Sequence, residues 1–393
     1  MSIVFKNVSY SGDASEPVYN ISMDLPSGSF TILLSDRTDD AGKVTICKLL
    51  LGIIKPTSGT ILIDGKDASK VPTQKRNAAM VHQEFINYPH LTVYENIASP
   101  LRVLKIPKTQ IRKAVYDIAK KLRIESCLNR LPNEISGGQQ QRTALARALV
   151  KDAKLICLYE PLVNLDYKLR EELRNELKQL FRSKNTVCVY ATAEPNEALQ
   201  LGSKAILLHK GEILQASDIS EIYRNPINLT AAQILSDPPL NIFQGEITSH
   251  ELVIGEVQRF PKTRILEQLP INNYILAIRP SHVSLVPISD DDLEISMRVN
   301  IAEISGSETL IHTVGSNINL LMNLSGAAHK EQIAPKAPSG DGDAGSIWAG
   351  LPSQLPERRS ETQTAAPRTG TRAPDSTRPP STQNPRAAAS PAH

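Results

Sequence analysis

The chain has 393 residues, enough for two or three domains with full hydrophobic cores. Its 44 lysines and arginines and 41 aspartates and glutamates give a net charge of +3, so no strong overall field points to nucleic acid as a partner. The four cysteines are scattered without CxxC spacing (Cys47, Cys127, Cys157 and Cys188), a pattern typical of reduced thiols in a cytosolic protein.

No segment of the sequence resembles a signal peptide or a membrane span. A basic start followed by an apolar stretch is missing, and no run approaches the ~18–20 apolar residues needed to cross a bilayer. We therefore expect that the chain does not cross a membrane by itself, and that a membrane partner is needed to hold it at one.

Short apolar strands alternate with helices up to about residue 235. FTILL (Phe30–Leu34) precedes the helix TICKLLLG, and TILIDG (60–65), LICLY (Leu155–Tyr159) and TVCVYAT (186–192) follow. Continuous apolar strands between helices predict a buried, mostly parallel sheet. Between about residues 86 and 150 the pattern turns helical, with IRKAVYDIAKKLRIESCL as one amphipathic run, which predicts a helical subdomain within the α/β core.

The composition of the sequence changes twice after residue 235. Over residues 236–328, short strands such as ELVIGEV, YILAIRP and MRVNIAEIS predict a small β-barrel or sandwich. Over residues 329–393, Ala, Pro, Ser, Thr and Arg dominate, which predicts disorder because too little apolar surface is available to offset the ordering entropy. We hypothesise that this tail is an out-of-frame read-through, with an unrelated extension or a disordered linker without a role as the alternatives. In each case we expect a truncated barrel with an exposed edge.

The stretch SDRTDDAGKVT, residues 35–45, contains part of a phosphate-binding motif between a strand and a helix. In the pattern G-x-x-x-x-G-K-[ST], Gly42 and Lys43 match. Gly42 would allow close backbone approach, Lys43 would reach the β- and γ-phosphates, and the helix N-terminal amides would complete the anion site. Taken alone, the fragment leaves open a GK pair in an ordinary loop. We call residues 35–42 the phosphate loop.

A second motif, ISGGQQQRTALARAL, occupies residues 135–149. Ser136, Gly137 and Gly138 open an alanine-rich helix, and small residues at a helix N-terminus form an anion site from backbone amides and a hydroxyl. SGGQ followed by QQR is far more specific than a GK pair. It therefore decides the interpretation of both motifs.

SGGQQQR resembles the signature sequence of the ABC-type ATPases. QKRNAAMVHQEFINYPHLTVYENIASPLRV and SGGQQQRTALARALVKDAKLICLYEPLVNLDYKLREEL are similar almost throughout to the ATP-binding subunits of bacterial sugar and glycerol-3-phosphate importers. The resemblance covers about residues 1–326 and implies an α/β, P-loop NTPase-type core with a helical subdomain, then a C-terminal all-β, OB-like regulatory domain. It also implies a homodimer that holds two ATP molecules with Mg²⁺, each between the phosphate loop of one chain and the signature of the other.

The resemblance implies roles for individual residues. Lys43 corresponds to the phosphate-loop lysine, and Gln83 to the glutamine that senses the γ-phosphate and Mg²⁺. Glu160 corresponds to the catalytic carboxylate that orients the attacking water, and Asp166 to an aspartate at the dimer contact. Tyr10 is a candidate for stacking on adenine, with a core or rim aromatic as the equal alternative.

The same resemblance implies partners and a location. The segment from Phe85 to Leu101 would contact two transmembrane permease subunits, and a solute-binding protein would act with them indirectly. AIRPSHVSL (277–285), with its Arg279-Pro280 pair, is similar to a strand of the regulatory domain. We expect a peripheral protein at the cytoplasmic face of the inner membrane, paired with a second ATPase subunit and without a nucleic-acid partner.

The phosphate loop departs from the family pattern in length and charge. Ser35 replaces the first glycine, and the loop is about two residues too long. Asp36, Asp39 and Asp40 bring negative charge beside the triphosphate, and each like charge within a few ångströms costs on the order of 1 kcal/mol. These changes predict weaker phosphate binding.

The metal side of the site departs as well. Val44 replaces the hydroxyl that coordinates Mg²⁺, and Thr45, one position late, is expected to contact phosphate rather than metal. Tyr159 stands where the family has an aspartate of the Mg²⁺ shell, and Ala193 stands where most of the superfamily has a histidine. Loss of two metal-side groups predicts a weakened Mg²⁺ site and hydrolysis slowed by orders of magnitude.

Three functions are compatible with these motifs. The leading one is the ATP-binding subunit of an importer that couples ATP hydrolysis to uptake of a sugar or similar polar solute. The alternative is a catalytically impaired pseudo-ATPase that binds nucleotide or serves structurally. An ABC protein that acts on nucleic acid or ribosomes is disfavoured, because such chains usually carry two cassettes. The sequence identifies neither the solute nor the permeases.

Overall fold

The computed structural model describes residues 1–325 and 345–349, with short gaps at 13–14, 38–39, 69–70, 85, 164–166, 183–184, 256–257, 265, 290–291, 306–307 and 316–317. The described residues all fall in one compact unit, Met1–Gln354. No helix in these ranges combines the length and the apolar character that a bilayer crossing requires.

Strands and helices alternate along the first 235 residues. The strands are β1 (Ile3–Gly12), β2 (Ser15–Leu25), β3 (Phe30–Leu34), β4 (Ser58–Ile63), β5 (Lys66–Asp67), β6 (Ala78–Val81), β7 (Leu155–Tyr159), β8 (Val187–Thr192), β9 (Lys204–His209) and β10 (Glu212–Asp218). The helices are α1 (Lys43–Leu51), α2 (Val93–Val103), α3 (Lys108–Lys121), α4 (Gly137–Val150), α5 (Tyr167–Arg182), α6 (Pro195–Leu201), α7 (Ile219–Arg224) and α8 (Leu229–Ile234). Helices α2 to α4 lie within the stretch whose pattern predicts helices.

The central sheet has the order β10-β9-β3-β8-β7-β6. Strands β9, β3, β8, β7 and β6 run parallel, and β10 is antiparallel to β9. All six residues of β8 are buried, as are four of the five in β7. The predicted buried, mostly parallel sheet is therefore confirmed for these strands.

A separate antiparallel sheet has the order β2-β1-β4-β5. It contains β4, so assigning TILIDG to the parallel sheet is wrong. β4 pairs antiparallel with β1, with Ile3 opposite Ile63, and its burial pattern is mixed rather than continuous. A half-buried strand is typical of an antiparallel sheet with one covered face. The short apolar run of β4 does not by itself show which of the two sheets the strand joins.

Two hydrophobic cores lie on opposite faces of the central sheet. Ile32 and Leu34 of β3 pack into the core that includes the helices α2 to α4, whereas Leu33 packs into the core shared with α1 and the antiparallel sheet. This alternation follows from the two-residue period of a strand. β3 is therefore packed on both faces directly before the phosphate loop.

Three neighbouring strands end beside one another and bring the predicted site residues to one edge of the sheet. β8 lies between β3 and β7, with Leu34 opposite Thr192 and Tyr159 opposite Ala191. Ser35, after β3, and Glu160, after β7, therefore lie on either side of β8 at the carboxyl ends of these parallel strands. Ligands of open α/β sheets bind at this position.

Among the described residues from Asn241 onwards, all regular structure is β apart from short 3₁₀ turns. The strands are β11 (Asn241–Ile247), β12 (Glu251–Ile254), β13 (Gln258–Pro261), β14 (Asn272–Ile278), β15 (Val283–Ser284), β16 (Leu293–Ser305), β17 (Glu308–Gly315), β18 (Ile318–Ser325) and β19 (Gly345–Ala349). They form two sheets, β13-β12-β11-β14 and β15-β19-β16-β17-β18, around a shared apolar core. The predicted small β domain is confirmed.

Strand β19 corrects the prediction of disorder for part of the tail. It pairs antiparallel with both β15 and the first half of β16, from Leu293 to Met297. Backbone pairing needs no apolar side chains, so the tail composition did not reveal it. The other residues of 329–393 lie outside the described residues. Among the described strands, the second half of β16, from Arg298 to Ser305, has β17 as its partner on one side and none on the other, as expected for an exposed edge.

The Arg279-Pro280 pair joins the β domain to the core. The Arg279 guanidinium lies 3.8 Å from the centre of the Tyr223 ring and donates a hydrogen bond to the Tyr223 carbonyl at 2.8 Å. Tyr223 belongs to α7. Arg279 thus anchors the β domain to α7 of the core.

Candidate nucleotide site

Gly42 forms the transition from the phosphate loop to α1. Its φ of +83° is a left-handed conformation that favours glycine, and a Cβ added there would lie 2.2 Å from Val18 Cγ1. Only glycine fits this position without a shift of β2. The amides of the first turn of α1 therefore face the loop, as an anion site requires.

Lys43 and Glu160 meet in the interior of the site. The lysine side chain is 2% exposed, its Nζ lies 3.4 Å from Glu160 Oε1, and it donates to Ser35 Oγ at 2.8 Å. Burial raises the pKa of Glu160, and the nearby Lys43 ammonium partly offsets that rise. The structure thus brings together the candidate phosphate-binding lysine and the candidate catalytic carboxylate.

Asp40 connects the phosphate loop to the end of β7. Its Oδ2 accepts a hydrogen bond from the Val44 N–H at 3.1 Å, and its Oδ1 accepts one from the Tyr159 hydroxyl at 2.8 Å. Burial raises the pKa of Tyr159, as does the Asp40 carboxylate, so the phenol keeps its proton and donates it. Two positions that depart from the family pattern are therefore bonded to each other.

Thr45, a candidate for phosphate contact, turns its side chain toward β2 in this structure. Its hydroxyl is fully buried and donates to the Glu16 carbonyl of β2 at 2.7 Å. One position along a helix turns a side chain by about 100°, which moves this hydroxyl away from the loop and onto β2. The Glu16 carboxylate also accepts a hydrogen bond from the Gly42 N–H at 3.4 Å.

The other predicted site residues make no described contact with Lys43 or Glu160. Tyr10 is 9% exposed and packs in the core beside β2, which favours the core alternative. Gln83 lies half-buried in the turn after β6, and the neighbouring His82 ring is centred 5.5 Å from the Tyr159 ring. Asp166 lies outside the described residues.

The metal-side residues do not fit the Mg²⁺ site that the resemblance implies. Val44 offers no oxygen, and the Tyr159 hydroxyl is engaged by Asp40. Over the described ranges, no group of three or more His, Cys, Asp or Glu side chains is placed to hold a metal ion. Mg²⁺ requires oxygen ligands in near-octahedral geometry.

The motif order and the fold agree with comparisons to known proteins. An ABC transporter family model matches residues 18–163. The oligosaccharide import ATP-binding protein MsmX of Bacillus subtilis (strain 168) is 34% identical over 291 residues, 72% of this chain and 80% of that protein. The sn-glycerol-3-phosphate import ATP-binding protein UgpC of Brucella abortus biovar 1 (strain 9-941) is 33% identical over 320 residues, 80% of this chain and 88% of that protein. The chain belongs to the ATP-binding proteins of the ABC transporter family.

The solved structures agree with this assignment. The dimeric structure of MJ0796, a bacterial ABC transporter cassette, covers 55% of this chain and 98% of that chain, with a TM-score of 0.50 and 29% identity. The cbiO1 protein of Clostridium perfringens, part of the transporter complex cbiONQ, matches 56% of this chain and 90% of that chain with a TM-score of 0.51; at 24% identity this likeness supports the fold alone.

The ABC signature of this chain is exposed at the start of α4. Ser136 caps the helix: its Oγ accepts from the Gln139 N–H at 3.3 Å, and Gln139 Oε1 accepts from the Ser136 N–H at 3.0 Å. A Cβ added to Gly137 would meet no atom within 4 Å among the described residues. The start of α4 is therefore rigid, and its outer surface is open to a second molecule.

The segment that the ABC resemblance assigns to permease contact is fixed by a buried side chain. The Asn96 side chain is fully buried, and its Oδ1 accepts a hydrogen bond from the Tyr88 N–H at 2.8 Å. Its amide nitrogen lies 2.9–3.1 Å from the carbonyl oxygens of Tyr88, Leu91 and Thr92. The Arg147 guanidinium of α4 lies 4.9 Å from the centre of the Tyr88 ring. The segment is thus coupled directly to the signature helix.

Sequence reasoning missed a polar cluster next to the phosphate loop. Arg37 Nη2 lies 2.8 Å from Glu194 Oε2 and 2.7 Å from Asp237 Oδ2, and Asn196 donates to the same Asp237 oxygen at 3.0 Å. The cluster joins the loop, the segment after β8 and the connection to the β domain. No local pattern signals it, because Arg37 is separated from its two acidic partners by more than 150 residues.

Proposed function

We propose that the chain is the ATP-binding subunit of an importer for a sugar or a similar polar solute. The relatives named for import of oligosaccharides and glycerol-3-phosphate support this proposal, since the chain matches them over most of their length. The observation that carries the ATPase role is the buried contact between Lys43 and Glu160 at the carboxyl end of the sheet.

In this proposal Lys43 leaves Ser35 and Glu160 to bind the β- and γ-phosphates of ATP. Glu160, released from the ion pair, orients the attacking water. Burial raises the pKa of Glu160, which makes its carboxylate a stronger base toward that water. Phosphoryl transfer depends mainly on positioning and on neutralising charge, so the poor fit of Val44 and Tyr159 to Mg²⁺ predicts slow turnover.

The proposed assembly is a homodimer at the cytoplasmic face of the inner membrane. Each ATP is held by the phosphate loop of one chain and by Ser136, Gly137 and Gly138 of the other. The segment from Phe85 to Leu101 docks onto two permease subunits, to which a solute-binding protein delivers the solute. The exposed signature and the rigid 88–92 segment support these contacts.

A second candidate is a pseudo-ATPase that binds nucleotide without hydrolysing it efficiently. The specific observation that favours it is the hydrogen bond between Asp40 and Tyr159, because this bond engages the Tyr159 hydroxyl, the side chain at the position where the family has a Mg²⁺ ligand. In that case nucleotide binding and dimerisation persist while turnover falls to the level of a variant without its catalytic carboxylate.

Dimerisation tests the proposed function. Glu160→Gln, which keeps ATP intact, should change from monomer to dimer in sedimentation velocity when millimolar ATP is added. Glu160→Gln combined with Gly137→Asp should stay monomeric, because the new carboxylate projects into the phosphate of the partner site. The space around Gly137 is open, so this substitution should leave the fold intact, and a melting curve checks that expectation. A dimer that forms equally well with Gly137→Asp would contradict the proposal.

A further inference from the structure

The α1 N-terminus already holds an anion supplied by the chain itself. The Val44 N–H donates to Asp40 Oδ2 at 3.1 Å, and the Gly42 N–H donates to Glu16 Oε2 at 3.4 Å. These amides belong to the start of the helix, where the helix dipole favours negative charge and where phosphate binds in proteins of this type. A carboxylate on these donors competes directly with a phosphate oxygen.

Tyr159 holds the competing carboxylate in place. It donates to the second oxygen of Asp40 at 2.8 Å, so both carboxylate oxygens are bonded, one to α1 and one to the end of β7. An aspartate at position 159 would repel Asp40, whereas a phenol attracts it. The two departures from the family pattern are therefore physically complementary.

The loop lysine does not neutralise Asp40 in this arrangement. Lys43 Nζ instead contacts Ser35 Oγ and Glu160 Oε1. A triphosphate that enters the loop must therefore break the bonds of Asp40 to Val44 and Tyr159 and must also draw Lys43 away from Glu160. Each of these contacts stabilises the nucleotide-free state only.

We infer that Asp40 and Tyr159 form an autoinhibitory latch, in which the Asp40 carboxylate occupies the anion position at the start of α1 until a polyphosphate displaces it. This inference rests on the proposed nucleotide-binding function of the loop. Asp40 acts as the competitor, and Tyr159 is the residue that positions it. The latch lowers the affinity for ATP and for any smaller polyphosphate that binds the same amides.

Isothermal titration with ATP and, separately, with pyrophosphate tests the latch. Asp40→Asn keeps the shape of the side chain and removes its charge, so Kd for both ligands should fall about tenfold. Tyr159→Phe leaves the carboxylate less firmly held and should lower Kd about threefold. The double variant should match Asp40→Asn, because Tyr159 acts through Asp40.

Asp36→Asn is the matched control, since it removes the same charge from an exposed position of the same loop. It should lower Kd less than Asp40→Asn does, because its exposed charge is better screened. Lys43→Ala provides the background without the loop lysine. Melting curves show that each variant is folded.

The outcomes separate the latch from the proposed function. The latch would be overturned if Asp40→Asn had the same Kd as the parent, or if Asp36→Asn lowered Kd as much as Asp40→Asn does. In either case, loss of ATP binding in Lys43→Ala would leave the proposed function standing. Pyrophosphate binding tightened by Asp40→Asn without ATP binding in any variant would support the latch and contradict the proposed function. Absence of binding by every variant to both ligands would overturn both.

Discussion

Combining Asp40→Asn, Val44→Thr and Tyr159→Asp should raise ATP turnover by at least about 100-fold over the parent chain. The three changes remove the competing carboxylate, supply a hydroxyl at the first turn of α1 and return a carboxylate to the end of β7. Together they provide the oxygen groups that Mg²⁺–ATP requires and free the anion position. Phosphate release with saturating Mg²⁺–ATP measures the change.

Two controls make this restoration specific. Tyr159→Asp alone should raise turnover far less than the triple variant does, because Val44 still supplies no hydroxyl and Asp40 keeps its negative charge beside the phosphates. Glu160→Gln added to the triple variant should abolish the gained turnover. If the triple variant turns over no faster than the parent, positions 40, 44 and 159 do not limit the chemistry, and the poor fit of these residues to Mg²⁺ is not the cause of slow hydrolysis.

Replacing Arg76 with methionine should lower the free energy of unfolding by about 3–5 kcal/mol. Arg76 is 5% exposed and donates to the carbonyl oxygens of Leu49 and Leu50 at the end of α1, at 2.8 and 2.9 Å. It also donates to the carbonyls of Ala68 and Val71, at 2.7 and 3.1 Å. Methionine keeps the aliphatic stem but leaves these buried acceptors unpaired. Urea denaturation of parent and variant measures the difference.

Arg102→Met is the matched control for Arg76. The Arg102 side chain is 50% exposed and makes a long, 3.9 Å contact with Glu95, so its loss should cost less than about 0.5 kcal/mol. Equal destabilisation by the two variants would show that the buried guanidinium does not stabilise α1. A loss of stability at Arg76 alone would show that α1, whose N-terminus we propose as the phosphate site, is stabilised by contacts at its C-terminal end.

Local patterns predicted most of the strands and indicated where a candidate site would lie. The apolar runs of β3, β7 and β8 are continuous, and the phosphate loop and signature each lie within one short stretch, so periodicity and motif order were sufficient. The same evidence misplaced β4, because a short apolar strand carries no signal that separates a parallel sheet from an antiparallel one. β19 was missed because its pairing depends on the backbone edges of β15 and β16 rather than on its composition.

The contacts that distinguish this site from its relatives were not predictable from local sequence. Asp40 and Tyr159 are 119 residues apart, and only the adjacency of loop 35–42 to β7 brings them together. The sequence indicated that each position departs from the family pattern, but not that the two departures bond to each other. The hydrogen bond of the Thr45 hydroxyl to the Glu16 carbonyl of β2 was likewise not predictable from its place beside Lys43 in the sequence.

ATP hydrolysis by the purified parent chain, compared with that of Glu160→Gln, decides whether this chain is a working ATPase. We expect slow turnover with Mg²⁺–ATP that is clearly above the Glu160→Gln background and at least about 100-fold below the triple variant. Turnover equal to the Glu160→Gln background would contradict the importer-ATPase function and would leave a nucleotide-binding or structural subunit of the same family.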